Sequence, residues 1–235
     1  LKIPVILPRK NFIKAAITAL MFIGYNFLYF KGTFIGYAGT GGVLVTTLNP
    51  IFTFGLVAIF SHKRLSSFEF IGLALGLTGG LIILKIWVSD WALLLSSGNI
   101  YFLLGAFSWA VLTIFVSKGP KGISPLAFIF WMYLLAALFM LPFKPIPETL
   151  NFFNYDGLFW LNFILVSLGA MTFGTSVFLY TSTKLGPEKT SAFVFTVPVS
   201  AMLTSMIFLN EPFDSFVILG GCLSIGAVYL INNNR

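Results

Sequence analysis

The residues of this sequence that could recognise a ligand are neutral, and they recur at helical spacing. Around the stretch "VLVTTLNPIFTFGLVAIF", Gly42, Thr46, Asn49 and Thr53 follow at steps of four, three and four, so 3.6 residues per turn place them on one face. Thr18, Phe22, Tyr25 and Tyr29 share a face upstream, with Asn26 beside them. Thr172, Ser176 and Tyr180 form a third stripe, and Thr196, Ser200 and Thr204 a fourth. Such stripes supply amide and hydroxyl hydrogen bonds, while the rings of Tyr25, Trp109 and Tyr180 supply apolar or cation–π surfaces. They do not supply catalysis. Serine or threonine without a neighbouring base is no nucleophile, the loops hold no cluster of His, Asp or Glu, and the expectation is a protein that is not an enzyme. His62 is the sole histidine and Cys222 the sole cysteine, so no metal site, no cofactor and no intrachain disulfide is expected.

The elements that must carry these stripes follow from composition. The chain is 58% hydrophobic and 9% charged, with 28 Phe, too few polar side chains to cover a soluble globule of this length. An integral membrane protein is predicted. The net charge of +7 does not collect into a basic, aromatic binding face, so no nucleic-acid partner is expected. Eight apolar runs are long enough to span a bilayer, near 12–30, 35–60, 68–87, 98–117, 124–143, 157–182, 189–209 and 213–232. The runs are continuous rather than alternating, which predicts helices and an all-α fold instead of a membrane barrel. Short turn-rich breaks such as "SHKRLSS" and "KLGPEKT" leave no room for a separate soluble domain.

If Leu1–Lys10 is cytoplasmic and the eight helices alternate, all of the 14 Lys and Arg except Lys31, Lys85 and Lys144 fall on the cytoplasmic side. That bias predicts both ends of the chain inside a bacterial-type plasma (inner) membrane. Every charged residue lies in a loop or at a span end, where Lys14, Lys31 and Lys85 can snorkel, so no fixed charge is expected at the bilayer centre.

Sliding the sequence by 148 residues sets Pro50 on Pro198, Phe60 on Phe208, Ser67 on Ser215, Gly72 on Gly220 and Ile83 on Ile231. Pro50 and Pro198 are the predicted helix kinks, since proline lacks an N–H and pushes against the preceding turn. Their helices enter the membrane from opposite sides, which makes the repeat an inverted one. The second copy holds five helices and the first only three. Two further N-terminal helices would complete a ten-helix protein, of which this chain carries eight.

In this order, "GYAGTGGVLVTTLNPIFTFGLVAIFSHKRLSSFEFIGLALGLTGGLIIL", "LGPEKTSAFVFTVPVSAMLTSMIFLNEPFDSFVILGGCLSIGAVYLI" and "GNIYFLLGAFSWAVLTIFVSK", with its Ser108-Trp109 pair, resemble the EamA domains of the drug/metabolite transporter superfamily. The resemblance implies residues 1–87 as the last three helices of one EamA repeat and residues 98–235 as a complete five-helix second repeat. One position departs. The family carries Glu after each proline helix; Glu211 keeps it, whereas Lys63 stands at the other place.

The resemblance implies a secondary-active transporter of small metabolites working by alternating access. Export of neutral or zwitterionic compounds such as amino acids suits the stripes, because phosphorylated sugars would call for a basic residue in the cavity. A membrane channel or a non-transport membrane protein is the alternative. The expected partners are a small-molecule substrate, the lipid bilayer and a coupling ion such as the proton, in a monomer or homodimer. The expected substrate contacts are Tyr25, Asn26, Thr46, Asn49, Trp109, Thr172, Ser176, Tyr180, Thr196 and Ser200. For Asn49 a second reading stands beside this one, that it glues two helices, and each threonine has the alternative of bonding its own backbone.

Overall fold

The computed structural model describes residues 6–36, 38–62, 64–83, 85–87, 97–119, 122–143, 154–209 and 215–233. The Lys63 and Glu211 positions lie outside the described residues. All regular elements among the described residues are helical. Five uninterrupted helices come first: α1 (Phe12–Ile35), α2 (Ala38–Ser61), α3 (Ser67–Ile83), α4 (Ser97–Ser117) and α5 (Pro125–Met140). The next two are composite. In α6 (Gly157–Leu185) a π-helical stretch, Leu165–Gly174, interrupts the α-helix. In α7, residues 187–209, a 3-10 turn at Phe193–Thr196 joins Pro187–Ala192 to Val197–Leu209. The last helix, α8, is Ser215–Asn233.

The protein is thus an all-helical membrane protein. Six helices among the described residues are long and apolar enough to cross a bilayer, and the apolar α3 is shorter, at 17 residues. The first run extends five residues beyond its expected end, to Ile35, because the chain does not break until the extended backbone of Gly36.

Local chemistry sets the helix starts. Ser66 and Glu69 form a reciprocal capping box on α3: the Ser66 N–H donates to Glu69 Oε2 at 2.8 Å, and the Glu69 N–H donates to Ser66 Oγ at 3.2 Å. Ser124 accepts from the Ala127 N–H at 3.1 Å ahead of Pro125, and Asp156 accepts from the Phe159 N–H at 2.8 Å. Between α6 and α7, Gly186 takes φ +90°, a conformation glycine adopts without strain, and Pro187 then opens α7.

The helix α4 packs along α1, α2 and α6. One core joins Ala15, Ala19 and Phe22 of α1 to Leu112 and Val116 of α4, Met132 of α5 and Leu179 of α6. A second joins Phe54 of α2 to Phe195 of α7 and to Ala227 and Ile231 of α8. Large apolar side chains such as Phe27, Phe34, Ile59 and Phe173 are exposed, the arrangement hydrocarbon solvent permits.

The most extensive helix pairing is α3 on α8, and it rests on glycine. Without a hydrophobic drive inside lipid, close backbone approach is what holds two helices together. A Cβ on Gly72 would lie 2.6 Å from Ile231 Cγ1 and 3.1 Å from the Ala227 carbonyl oxygen. A Cβ on Gly220 would lie 2.6 Å from Ile83 Cγ1 and 2.6 Å from the Gly79 carbonyl oxygen. Under the 148-residue shift Gly72 becomes Gly220, Gly79 becomes Ala227 and Ile83 becomes Ile231. The two contact sets exchange with one another.

Candidate functional site

Pro50 lies inside α2, which continues through it, and the Thr46 and Thr53 hydroxyls beside it turn inward to the same helix. Thr46 Oγ1 donates to the Gly42 carbonyl at 2.8 Å and lies 3.1 Å from that of Val43, and Thr53 Oγ1 donates to the Asn49 carbonyl at 2.9 Å. Pro198 is buried and is accommodated differently. The 3-10 turn Phe193–Thr196 stands just before it, where the preceding turn must give way to the ring.

Asn49 is 1% exposed and reaches across to α4. Its Nδ2 donates to the Ala106 carbonyl at 3.4 Å, a long hydrogen bond, while its Oδ1 is buried without a partner. Ala106 lies one turn from both Phe102 and Trp109 on α4, and these rings belong to an aromatic row. Trp109 meets Tyr25 of α1 with ring centres 4.5 Å apart and Phe178 of α6 at 5.5 Å. Tyr29 extends the row, 6.0 Å from Tyr25 and 6.0 Å from Phe102. Tyr25, Asn49 and Trp109 are therefore brought to one stretch of α4, where α1, α2 and α6 converge.

The other expected contacts lie elsewhere. Asn26 donates to the Phe22 carbonyl at 2.8 Å and lines, with Tyr133, an open apolar groove of about 870 Å³ between α1 and α5. Ser176 is half-buried on α6, one turn before Tyr180. Thr172 Oγ1 donates to the Ser167 carbonyl at 2.7 Å, Thr196 Oγ1 to that of Phe193 at 2.7 Å, and Ser200 Oγ to that of Thr196 at 3.1 Å. Thr172, Tyr180 and Ser200 are exposed. Lys184 Nζ lies 5.6 Å over the Tyr180 ring, and it is Phe178, two residues earlier, that reaches Trp109.

Tyr133 is the residue that periodicity did not single out. It sits in the uniformly apolar α5, and its hydroxyl donates to the Met171 carbonyl at 2.5 Å, inside the π-helical stretch of α6. The π-helix loosens the i–4 ladder, and Thr172 and Thr175 answer with bonds to carbonyls five residues back. Gly169 and Gly174, spaced by the same five residues, are the only trace of this in the sequence of that stretch.

The arrangement offers acceptors from its aliphatic hydroxyls and the Asn49 amide, beside the Trp109 indole N–H and the Tyr25 and Tyr29 hydroxyls as donors. Thr46, Thr172, Thr196 and Ser200 give their protons to carbonyls of their own helices, so what each can still offer a ligand is oxygen lone pairs. Asn49 Oδ1 is one more acceptor. Acceptors beside aromatic faces suit N–H donors and ammonium groups, whereas a phosphate asks for donors.

A family model described as the EamA-like transporter family matches residues 96–233. An uncharacterized transporter of Synechocystis is 24% identical over 213 residues, covering 84% of this chain and 64% of that protein. A WAT1-related chloroplastic protein of Arabidopsis thaliana is 27% identical over 210 residues, covering 83% of this chain and 48% of that protein. The chain thus spans less than two thirds of the length of these two curated relatives. A solved crystal structure shares the fold with a TM-score of 0.69 at 18% identity, covering 96% of this chain and 77% of that chain.

Proposed function

Since the chain belongs to the EamA-like transporter family, we propose that it is a secondary-active carrier that exports small neutral or zwitterionic metabolites, amino acids among them, by alternating access. The observation that carries this reading is the convergence of Tyr25, Asn49 and Trp109, with an unpaired amide oxygen buried beside an aromatic row. A substrate ammonium or amide N–H would find there the acceptor that the protein itself leaves unmatched. Thr46, Thr172, Thr196 and Ser200 would add acceptor oxygens along the path, and Tyr180, Ser176 and Asn26 the remaining contacts. A proton is the proposed coupling ion.

Two inverted units, residues 1–87 and 98–235, form the scaffold of this reading. It is supported by the exchange of Gly72–Ile231 and Gly220–Ile83 contacts under the 148-residue shift, because two copies around a two-fold axis must meet in that reciprocal way. The glycine face of α3 is used within the chain, which favours a monomer over a dimer built on that face. The proposed setting is a bacterial-type inner membrane with both ends cytoplasmic, on the strength of the lysine and arginine bias.

The test is transport by the purified protein in liposomes, using amino acids as first substrates. Saturable uptake accelerated by unlabelled substrate on the opposite side supports the carrier. Flux that never saturates and shows no counterflow would instead establish a channel.

A further inference from the structure

Three lysines near helix ends rest on aromatic rings: Lys31 Nζ is 5.6 Å over Phe34, Lys85 Nζ 5.3 Å over Phe216, and Lys184 Nζ 5.6 Å over Tyr180. Lys14 and Lys118 are placed differently. Lys14, from α1, and Lys118, just past the end of α4, line a single cleft of about 310 Å³ whose other walls include Leu56 and Phe60 of α2 and Ile114 and Phe115 of α4. This volume is at the lower end of small-molecule cavities, roughly 300–1,000 Å³. Among the described residues no carboxylate lines the cleft or pairs with either ammonium group. Lys118 is nine residues from Trp109 of α4, half a turn out of phase, whereas Lys14 of α1 and Leu56 of α2 lie eleven residues from Tyr25 and seven from Asn49 on the same helix faces, so the cleft stands apart from the aromatic row along the helix axes, two to three turns away.

We propose that this cleft holds an acidic phospholipid, its acyl chain against Leu56, Phe60, Ile114 and Phe115 and its phosphate between the Lys14 and Lys118 ammonium groups. A lone lysine at a span end needs only water, which it reaches by snorkelling. Two at the ends of different helices, on the rim of one apolar cleft, present paired positive charge directly above hydrocarbon walls, the complement of an anionic headgroup on an apolar tail. A free phosphate would meet two point charges but no N–H donors from the walls, and it would leave the apolar depth unfilled. The bound lipid would tie α1 to α2 and α4 at one end of the bundle.

The experiment compares short-chain phosphatidylglycerol, phosphatidylcholine of the same chain length and inorganic phosphate as stabilisers of the protein in neutral detergent, read as the shift of thermal unfolding with concentration. Phosphatidylglycerol is expected to act at about tenfold lower concentration than phosphatidylcholine, and phosphate to give no shift. The double variant Lys14→Gln, Lys118→Gln is expected to bring the two lipids within about twofold of each other. Both side chains are exposed, so the change leaves the core intact. The control variant Arg9→Gln, Lys10→Gln, which removes nearby charge from outside the cleft, keeps the preference. Equal action of the two lipids on the unaltered protein would overturn the proposal, as would a preference that survives the double variant. An equal shift with phosphate alone would make the cleft a free-anion site instead.

Discussion

Replacing Asn49 by leucine separates a substrate contact from a strut between helices. Alanine would not serve, since it opens a cavity and so lowers stability whatever the asparagine does. Leucine keeps the volume and removes both polar atoms. What is lost is one hydrogen bond, Nδ2 to the Ala106 carbonyl, at a distance of 3.4 Å. Interhelical hydrogen bonds in membranes contribute about 0.6 kcal/mol on average, and this one lies at the long end of the range. What is relieved is the burial of Oδ1 without a partner, which costs about 1–3 kcal/mol. The balance favours the variant by about 1 kcal/mol, a rise of roughly 2–4 °C in the unfolding midpoint for a chain of this size. Transport should move the other way, falling at least about tenfold, the worth of one substrate hydrogen bond. Thermal unfolding in detergent and counterflow in liposomes measure the two effects on the same preparation. A midpoint several degrees lower would show that Asn49 is a strut, and unchanged transport would remove Oδ1 from the substrate path.

Two further outcomes test the scaffold. Gly220→Ala places a methyl group 2.6 Å from the Gly79 carbonyl oxygen and from Ile83 Cγ1, an overlap costing about 1–3 kcal/mol, so the unfolding midpoint falls by a few degrees. Gly226→Ala on the same helix meets nothing within 4 Å and gains about 0.5–1 kcal/mol of helix propensity, so its midpoint rises; equal shifts for the two variants would refute the close approach of α3 and α8. Tyr133→Phe removes the donor to the Met171 carbonyl, and the amides of 165–174 should then exchange hydrogen several-fold faster. Unchanged exchange there would mean that the hydroxyl does not hold the π-helical stretch in place.

The helices were legible because lipid selects on a bulk property. An apolar run such as 98–117 has no alternative to a spanning helix, and α4 occupies Ser97–Ser117. The break "KLGPEKT" was legible as a turn, whereas the caps at Ser124 and Asp156 were supplied by the structure. The polar stripes were legible as spacing and illegible as partners. Thr46 and Ser200 satisfy their protons one turn back in their own helices, and no sequence period distinguishes that from a hydroxyl aimed at a neighbour. The ring against Trp109 is Phe178, on the α-helical part of α6 that also carries Ser176 and Tyr180, while Thr172 lies in the ten-residue π-helical stretch before it, where each residue turns the helix less than an α-helical residue does. A stripe counted at 3.6 residues per turn loses its phase across such a stretch.

The places where the two halves differ say more than those where they agree. Gly72 meets Ile231 as Gly220 meets Ile83, and the proline of α2 has its image in α7, which supports the proposed pair of related units. The symmetry fails where side chains of α2 and α7 reach α3. Gly76 lies against the Phe195 ring and Gly80 against Thr47, although Thr47 and Phe195 are equivalent under the 148-residue shift. The image of Gly76 in the second half is Ser224, which has no phenylalanine to admit, since the image of Phe195 is a threonine. Asn49 breaks the pattern in the same way, with Val197 at its image, yet no glycine compensates and its oxygen stays unpaired. Packing explains the glycines opposite Phe195 and Thr47 but gives the Asn49 oxygen no partner, and for that reason the Asn49→Leu variant is the decisive test of the proposed substrate contact.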